Sequence, residues 1–456
     1  MHTDGNEDIA DDDWEQEAPR WVVKKAHDSA DIANRLLPKD FPIVVDEETG
    51  IVCEPALLFL YEKPFRSTLG DVSPNTLLAY AYDLKEWWQY LDEFQVRWTD
   101  AAISDLQGFC SGMRSTVSPT TGKEYATTTV IRRKTTVEGF YKWAATVKLG
   151  NPTDTNIPEL LLRRDIEGGG RGKSAVKVRK KASEKQHVSV MRREQARAIM
   201  EALGPLPREL SEEVSDKYGY KPDSLSSPET GDIARSSRDR LGAEIAHQAG
   251  LRISEVTGLL VSQFEMYLAN ANIIETAVYG IRVLGKGKVP RTVNFHGALI
   301  LEIVSYMKNE RRNIINRLQG VADRHLLINP IDSGRWSGKK VSVRTLQRTF
   351  STACINAGCC VSNPVERFTW SKSGMLDRST AFVVQPVFVF HDLRHTFAVW
   401  TYYARKKSGD NEPWLYIQKQ LGHARLETTI QIYLASTSEF EASVTDAVMR
   451  KTNESR

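Results

Sequence analysis

The stretch His391-Asp392-Leu393-Arg394-His395 carries two chemical possibilities. His391 and Arg394 are three apart, so on a helix they share a face. His391 and His395, four apart, could ligate zinc. However, the residue after His391 is Asp392 and not the glutamate of the metalloprotease pattern, and Arg394 would set a cation beside the metal. The spacing therefore favours a histidine and an arginine acting together on an anion, with His395 packing beside them.

Four more chemical groups flank this stretch. Arg252 lies upstream in Ala249-Gly250-Leu251-Arg252-Ile253-Ser254-Glu255, where Gly250 suits a helix C-cap and Ser254 an N-cap for the next helix. Lys286 stands in Gly285-Lys286-Gly287-Lys288, a turn between two runs of strand character, Ile281–Leu284 and Val289–Phe295. His423 follows in Leu421-Gly422-His423, and Tyr433 comes ten residues later. Each residue alone has an ordinary reading, as a helix-end arginine, a solvated lysine or a core tyrosine. Together they suit a phosphodiester. Arginines hold non-bridging oxygens bidentately, a lysine protonates a leaving oxygen, and a histidine takes the proton of a tyrosine. Side chains supply the cations, so the expectation is no metal and no cofactor.

The N-terminal half reads differently. Ser73-Pro74 is a helix start, followed at helical spacing by Leu77, Tyr80, Leu84, Trp87, Trp88 and Leu91. A second helix follows Ile103, with Leu106 and Phe109. A third spans about 127–147, with Val130, Val137, Phe140, Tyr141 and Trp143 as its apolar stripe. The large aromatics read as core more readily than as base-stacking platforms. Arg132, Arg133 and Lys134, on or near the other face, are candidate DNA contacts. So are Arg171, Lys177, Arg179, Lys180 and Lys181, in a basic run that could neutralise phosphates. Gly172-Lys173-Ser174 resembles the end of a P-loop, but Glu167 occupies the position of its first glycine, so no nucleotide site is expected.

Net charge over the 456 residues is only +3, and what distinguishes the chain is segregation of charge, with an acidic start and the basic run near 171–185. The five cysteines form no CxxC pair, which argues for reduced thiols. No apolar run is long enough for a membrane span and no signal peptide is evident, so a cytoplasmic protein is expected. The parts expected are an arm at 1–53, a helical DNA-binding domain at 54–152, a basic linker at 153–188, a catalytic domain at 189–436 and a tail at 437–456. On that tail Phe440, Val444 and Val448 make an apolar stripe. The stretch 362–387, with Pro364, Gly374 and Pro386, breaks the helical pattern.

The order and context of these groups resemble the tyrosine recombinase, or phage integrase, family. Its pattern runs Gly-Leu-Arg-x-Ser-Glu, Gly-Lys-Gly, His-x-Leu-Arg-His and Leu-Gly-His, then Thr-Thr shortly before a tyrosine. Arg252, Lys286, His391, Arg394, His423 and Tyr433 match it residue by residue. The match covers about 54–152 and 190–436. The resemblance implies a mainly helical fold with a small antiparallel sheet, in two domains clamped on duplex DNA. Tyr433 would be the nucleophile, forming a 3′-phosphotyrosyl link without metal or ATP. It also implies a homo-tetramer on two DNA sites, through exchange of the tail helix. Other recombinase subunits or DNA-bending proteins are further expected partners. A cytoplasmic, nucleoid-associated location of bacterial type is implied as well. Two alternatives stay open: type IB topoisomerase action, which would use similar chemistry, and a DNA-binding accessory subunit whose site is intact but idle and which needs other recombinases. The stretch 362–387 and the insertion at about 207–232 depart from the family's common core.

Overall fold

The computed structural model describes residues 20–27, 30–32, 35–66, 72–116, 124–147, 149, 189–211, 236–269, 272–285, 289–319, 323–370, 376–423, 426 and 429–430. Lys286, Tyr433, the basic run 171–181 and the tail 437–456 therefore lie outside the described residues, as does most of the 207–232 insertion. The chain divides into two compact units, residues 1–183 and 184–456. It is mostly helical, with small two-stranded antiparallel sheets.

In the first unit, α1 (Glu54–Arg66), α2 (Pro74–Glu93), α3 (Ile103–Ser115) and α4 (Thr127–Val147) share one core with a β-ribbon. Ser73 caps α2 as its spacing predicts, its hydroxyl accepting from the Thr76 N–H at 3.2 Å. Trp87 and Tyr141 are buried at the centre. The Trp87 indole donates to the Tyr141 hydroxyl (3.3 Å), which donates to the Trp98 carbonyl (2.8 Å). Each polar tip thus has a partner in an apolar surround.

One expectation is corrected in this unit. Residues 20–53 are not an arm outside the helical domain. Strand β1 (Trp21–Lys25) pairs antiparallel with β4 (Pro42–Asp46), Trp21 opposite Asp46, with the short β2 (Ala30–Ile32) and β3 (Arg35–Leu37) paired between them. Phe41, Ile43, Val44 and Val45 are buried in the same core as α1 and α2. The Trp21 indole donates to the Asp92 carboxylate on α2, and Arg20 bonds Asp46 at 2.7 Å.

In the second unit, α6 (Arg238–Ala249) runs through the middle of the core, with α5 (Arg193–Ala202) before it. Gly250 ends α6 at φ 67°, and a Cβ there would lie 2.6 Å from the Phe397 ring, so both conformation and space require glycine. The next helix, α7 (Ile253–Thr257), starts two residues earlier than its sequence suggests. Arg252, not Ser254, is its N-cap, because Glu255 at the third helical position accepts the Arg252 N–H at 3.0 Å. After α8 (Glu265–Leu268) comes the hairpin β5 (Val278–Leu284) and β6 (Pro290–His296). It is closed by the Gly285 N–H to the Val289 carbonyl at 2.8 Å, and Ile281, Val283, Val293 and Phe295 face the core.

Helices α9 (Gly297–Tyr306), α10 (Arg312–Arg317) and α11 (Val343–Asn356) follow. The irregular stretch expected at 362–387 is a long hairpin, β7 (Cys360–Trp370) with β8 (Leu376–Pro386). It delivers the chain to α12 (Phe390–Lys407), and α13 (Pro413–Leu421) then ends at Gly422 with φ 67°. All five cysteines are free, and among the described residues no helix is long and apolar enough to cross a membrane.

Ile43→Ala should lower the stability of the first unit by about 2–5 kcal/mol, the cost of a core truncation. Denaturant unfolding checks this through a shifted midpoint at unchanged slope; an unmoved midpoint would mean the ribbon contributes nothing to the core.

Candidate active site

Helix α12 sets the geometry. Phe390, Leu393 and Phe397 anchor it in apolar surroundings, which leaves His391, Arg394 and His395 on adjoining faces. Its first turn is fixed by Asp392, whose carboxylate accepts the Val389 N–H at 2.8 Å. Burial pushes that carboxyl up to about 6, against the lowering effect of the same hydrogen bond.

Arg394 is almost fully buried, at 2% exposure. One terminal nitrogen donates to the Gly250 carbonyl (2.6 Å) and the other to the Leu421 carbonyl (2.7 Å). The guanidinium thereby sits at the C-terminal ends of α6 and α13, where a cation offsets the partial negative charge of the helix. It also meets Nε2 of His423 at 3.2 Å.

Glu255 is the counter-charge, its side chain 3% exposed. Arg252 reaches one carboxylate oxygen at 3.0 Å. Arg291 makes a bidentate pair at 2.9 and 2.8 Å, and Arg394 lies 3.9 Å away. Burial alone would raise the Glu255 carboxyl, but the Arg291 hydrogen bonds, the Arg252 N–H and the arginine charges outweigh it and hold it below the usual range. Three guanidinium groups around one carboxylate leave net positive charge. Arg252 is the most exposed of the three, with 28% of its side chain accessible.

The histidines stay neutral under that charge. His423 is pushed down to about 4, first by burial and then by Arg394, Arg252 and Arg291. A guanidinium only donates, so Nε2 of His423 accepts from Arg394 and its Nδ1–H donates to the Thr429 hydroxyl at 2.8 Å. His395 is pushed down to about 3, by burial, His391, Arg394 and His423. Its ring meets that of His391 edge to face, with centroids 4.6 Å apart. His391 is lowered by burial, Arg394 and Arg252, against Glu255. The result is a set of cations able to bind an anion, beside uncharged imidazoles able to accept a proton.

Four residues of the predicted site are described: Arg252, His391, Arg394 and His423. The fold brings them together from α7, α12 and the end of α13. Sequence reading missed the roles of Glu255, Arg291, Gln420 and Thr429. The side-chain amide of Gln420 exchanges hydrogen bonds with the Asn294 backbone (3.0 and 2.8 Å) and donates to the Ala249 carbonyl (3.2 Å), stitching α13 to β6 and α6.

The basic triplet on α4 is placed otherwise than expected. Lys134 is 5% exposed and lies 3.8 Å from Glu138, so it does not face solvent. Arg133 is also largely covered, 3.4 Å from Glu86 and over the Tyr125 ring. Arg132 is half-exposed but bonds the buried Asp83 at 2.6 Å. Consecutive helical residues point about 100° apart, so three in a row do not share a face.

Residues 229–439 match the Phage integrase family, and residues 69–148 match the Phage integrase N-terminal SAM-like domain. The chain belongs to the tyrosine recombinase, or phage integrase, family. The tyrosine recombinase XerC of Proteus mirabilis is 30% identical over 217 residues, 46% of this chain and 52% of that protein. XerC of Haemophilus influenzae (strain PittEE) is 28% identical over 210 residues, again 46% and 52%. The chain thus spans about half the length of these curated relatives. Among solved structures, the XerH site-specific recombinase bound to palindromic difH substrate aligns with a TM-score of 0.48 at 17% identity, covering 82% of this chain and 80% of that one. A lambda integrase dimer bound to a COC′ core site aligns at 0.43 and 15%, covering 82% and 76%.

The depressed histidines carry a stability consequence. A group whose folded value lies below its unfolded one stabilises the fold above the unfolded value, and that stability is lost as pH falls through the folded value. For His423 and His395 the window runs from their ordinary 6.5 down to about 4 and about 3. Unfolding free energy should fall with pH across that range, and His395→Gln with His423→Gln should flatten the slope. Urea titrations at a series of pH values check it; an unchanged slope in the double variant would contradict the assignment.

Proposed function

We propose that this chain is a site-specific DNA recombinase that cuts and rejoins strands through Tyr433. The observation that carries the reading is the Arg252–Glu255–Arg394–His423 cluster, a preassembled anion site beside neutral imidazoles. Its substrate is duplex DNA.

In this reading a phosphodiester docks on Arg252, Arg394 and His423, whose donors offset the charge of the transition state. His391 takes the proton of the Tyr433 hydroxyl, which at an ordinary value of about 10 is otherwise retained at neutral pH. The phenolate attacks phosphorus, forming a 3′-phosphotyrosyl link, and the 5′-oxygen departs with a proton from Lys286. A 5′-hydroxyl from the partner strand reverses these steps: it attacks phosphorus and displaces the tyrosine. One phosphate ester is exchanged for another, so neither ATP nor a metal is required. His423 accepts through Nε2 as it stands, so it donates to a phosphate oxygen only after gaining a proton, which the arriving negative charge favours.

Exchange between two duplexes cuts four strands, and each protomer supplies one tyrosine. Four protomers on two DNA sites therefore suit the chemistry, with the tail 437–456 as the segment exchanged between them. Deleting 437–456 should weaken assembly on paired sites more than binding to a single site, as read by gel mobility; equal losses would refute the exchange.

Tyr433→Phe should bind DNA as the unaltered protein does yet form no adduct that survives denaturation. A denaturing gel with end-labelled nicked duplex reads this directly, and an adduct in the variant would end the assignment.

A further inference from the structure

Arg291 occupies an unusual place for a charge. It stands on β6 opposite Val283, two residues before Val293 and four before Phe295, so it lies in the core-facing register of that strand. A cation there requires partners. It finds Glu255, held bidentately, and the Gln420 carbonyl, which accepts from Nε at 3.3 Å. Two glycines make room for it. A Cβ on Gly285, at the base of the hairpin turn, would lie 3.0 Å from an Arg291 terminal nitrogen, and one on Gly422 would lie 2.7 Å from its Cδ. One side chain therefore touches the flank of the segment 286–288, the carboxylate that holds Arg252, and the residue before His423.

We infer that Arg291 is a positioning residue for strand cleavage: it locks the β5–β6 hairpin, which carries Lys286 between its strands, onto the Glu255–Arg252 pair. The inference rests on the recombinase reading given above. The β5–β6 ladder joins the two strands to each other and Gln420 ties the Asn294 backbone to α13, but it is Arg291 that bonds the hairpin to Glu255. Lysine cannot replace Arg291, because an ammonium does not reach both carboxylate oxygens in a planar fork.

The test separates proton delivery from folding and from phosphate binding. The probe is the duplex that the unaltered protein captures covalently from a random-sequence library, prepared with oxygen or with sulfur at the bridging 5′ position. A thiolate, with an acidity near the roughly 8.5 of a cysteine thiol, leaves without needing a proton. On the oxygen substrate, Arg291→Ala and Lys286→Ala should each lose about 10²-fold in single-turnover cleavage, with DNA affinity changed by less than about threefold. On the sulfur substrate both should recover to within about tenfold of the unaltered protein, and Arg291→Lys should behave as a partial loss on oxygen only.

If Arg291 only holds the fold together, Arg291→Ala will lose equally on both substrates, and the inference falls. It falls equally if cleavage of the oxygen substrate is unchanged. If Lys286→Ala recovers on sulfur and Arg291→Ala does not, Arg291 does not act through the lysine, and the inference falls in the same way. If the unaltered protein captures no duplex, the recombinase reading itself fails, a result distinct from any of these.

Discussion

The buried carboxylate of Glu255 is what allows three guanidinium groups to share one small volume. Without it Arg252, Arg291 and Arg394 would repel one another in a medium that screens poorly, and each would need its own route to solvent. With it, α7, β6 and α12 are drawn to one point, because each contributes one of the charged groups. The same carboxylate accepts the Arg252 N–H and so sets where α7 begins. Local capping and long-range electrostatics are thus performed by one side chain.

That arrangement explains why the histidines are poised as they are. A site that is partly desolvated and net positive disfavours an imidazolium, so all three rings stay uncharged at neutral pH. Burial does most to keep these rings uncharged, and the cations that would bind a phosphate add to it. Geometry and acidity are coupled, and neither could be altered alone.

Much of this was legible in the sequence. The ordered boxes around Arg252, His391, Arg394 and His423 singled out four residues that the fold does bring together, because each box is local and chemically distinctive. The helices of the first unit followed from period and from the Ser73 cap. What the sequence concealed has physical reasons. Strand β4 is a short apolar run, Pro42-Ile43-Val44-Val45-Asp46, buried on both faces, so it lacks the alternation that marks a half-exposed strand. Arg291 and Gln420 depend on partners 36 and 126 residues away, and no local pattern announces such contacts. The 132–134 triplet looked like one basic patch only because neighbours in sequence are not neighbours on a helix.

Arg394 shows how far one residue can serve two ends. Its terminal nitrogens close the carbonyl ends of α6 and α13 before any ligand arrives. Replacing it would therefore loosen the scaffold and empty the anion site at once. A mutational scan that ranks positions by lost activity would place Arg394 at the top for mixed reasons, and the most sensitive position in such a scan need not be the one nearest the reacting atoms.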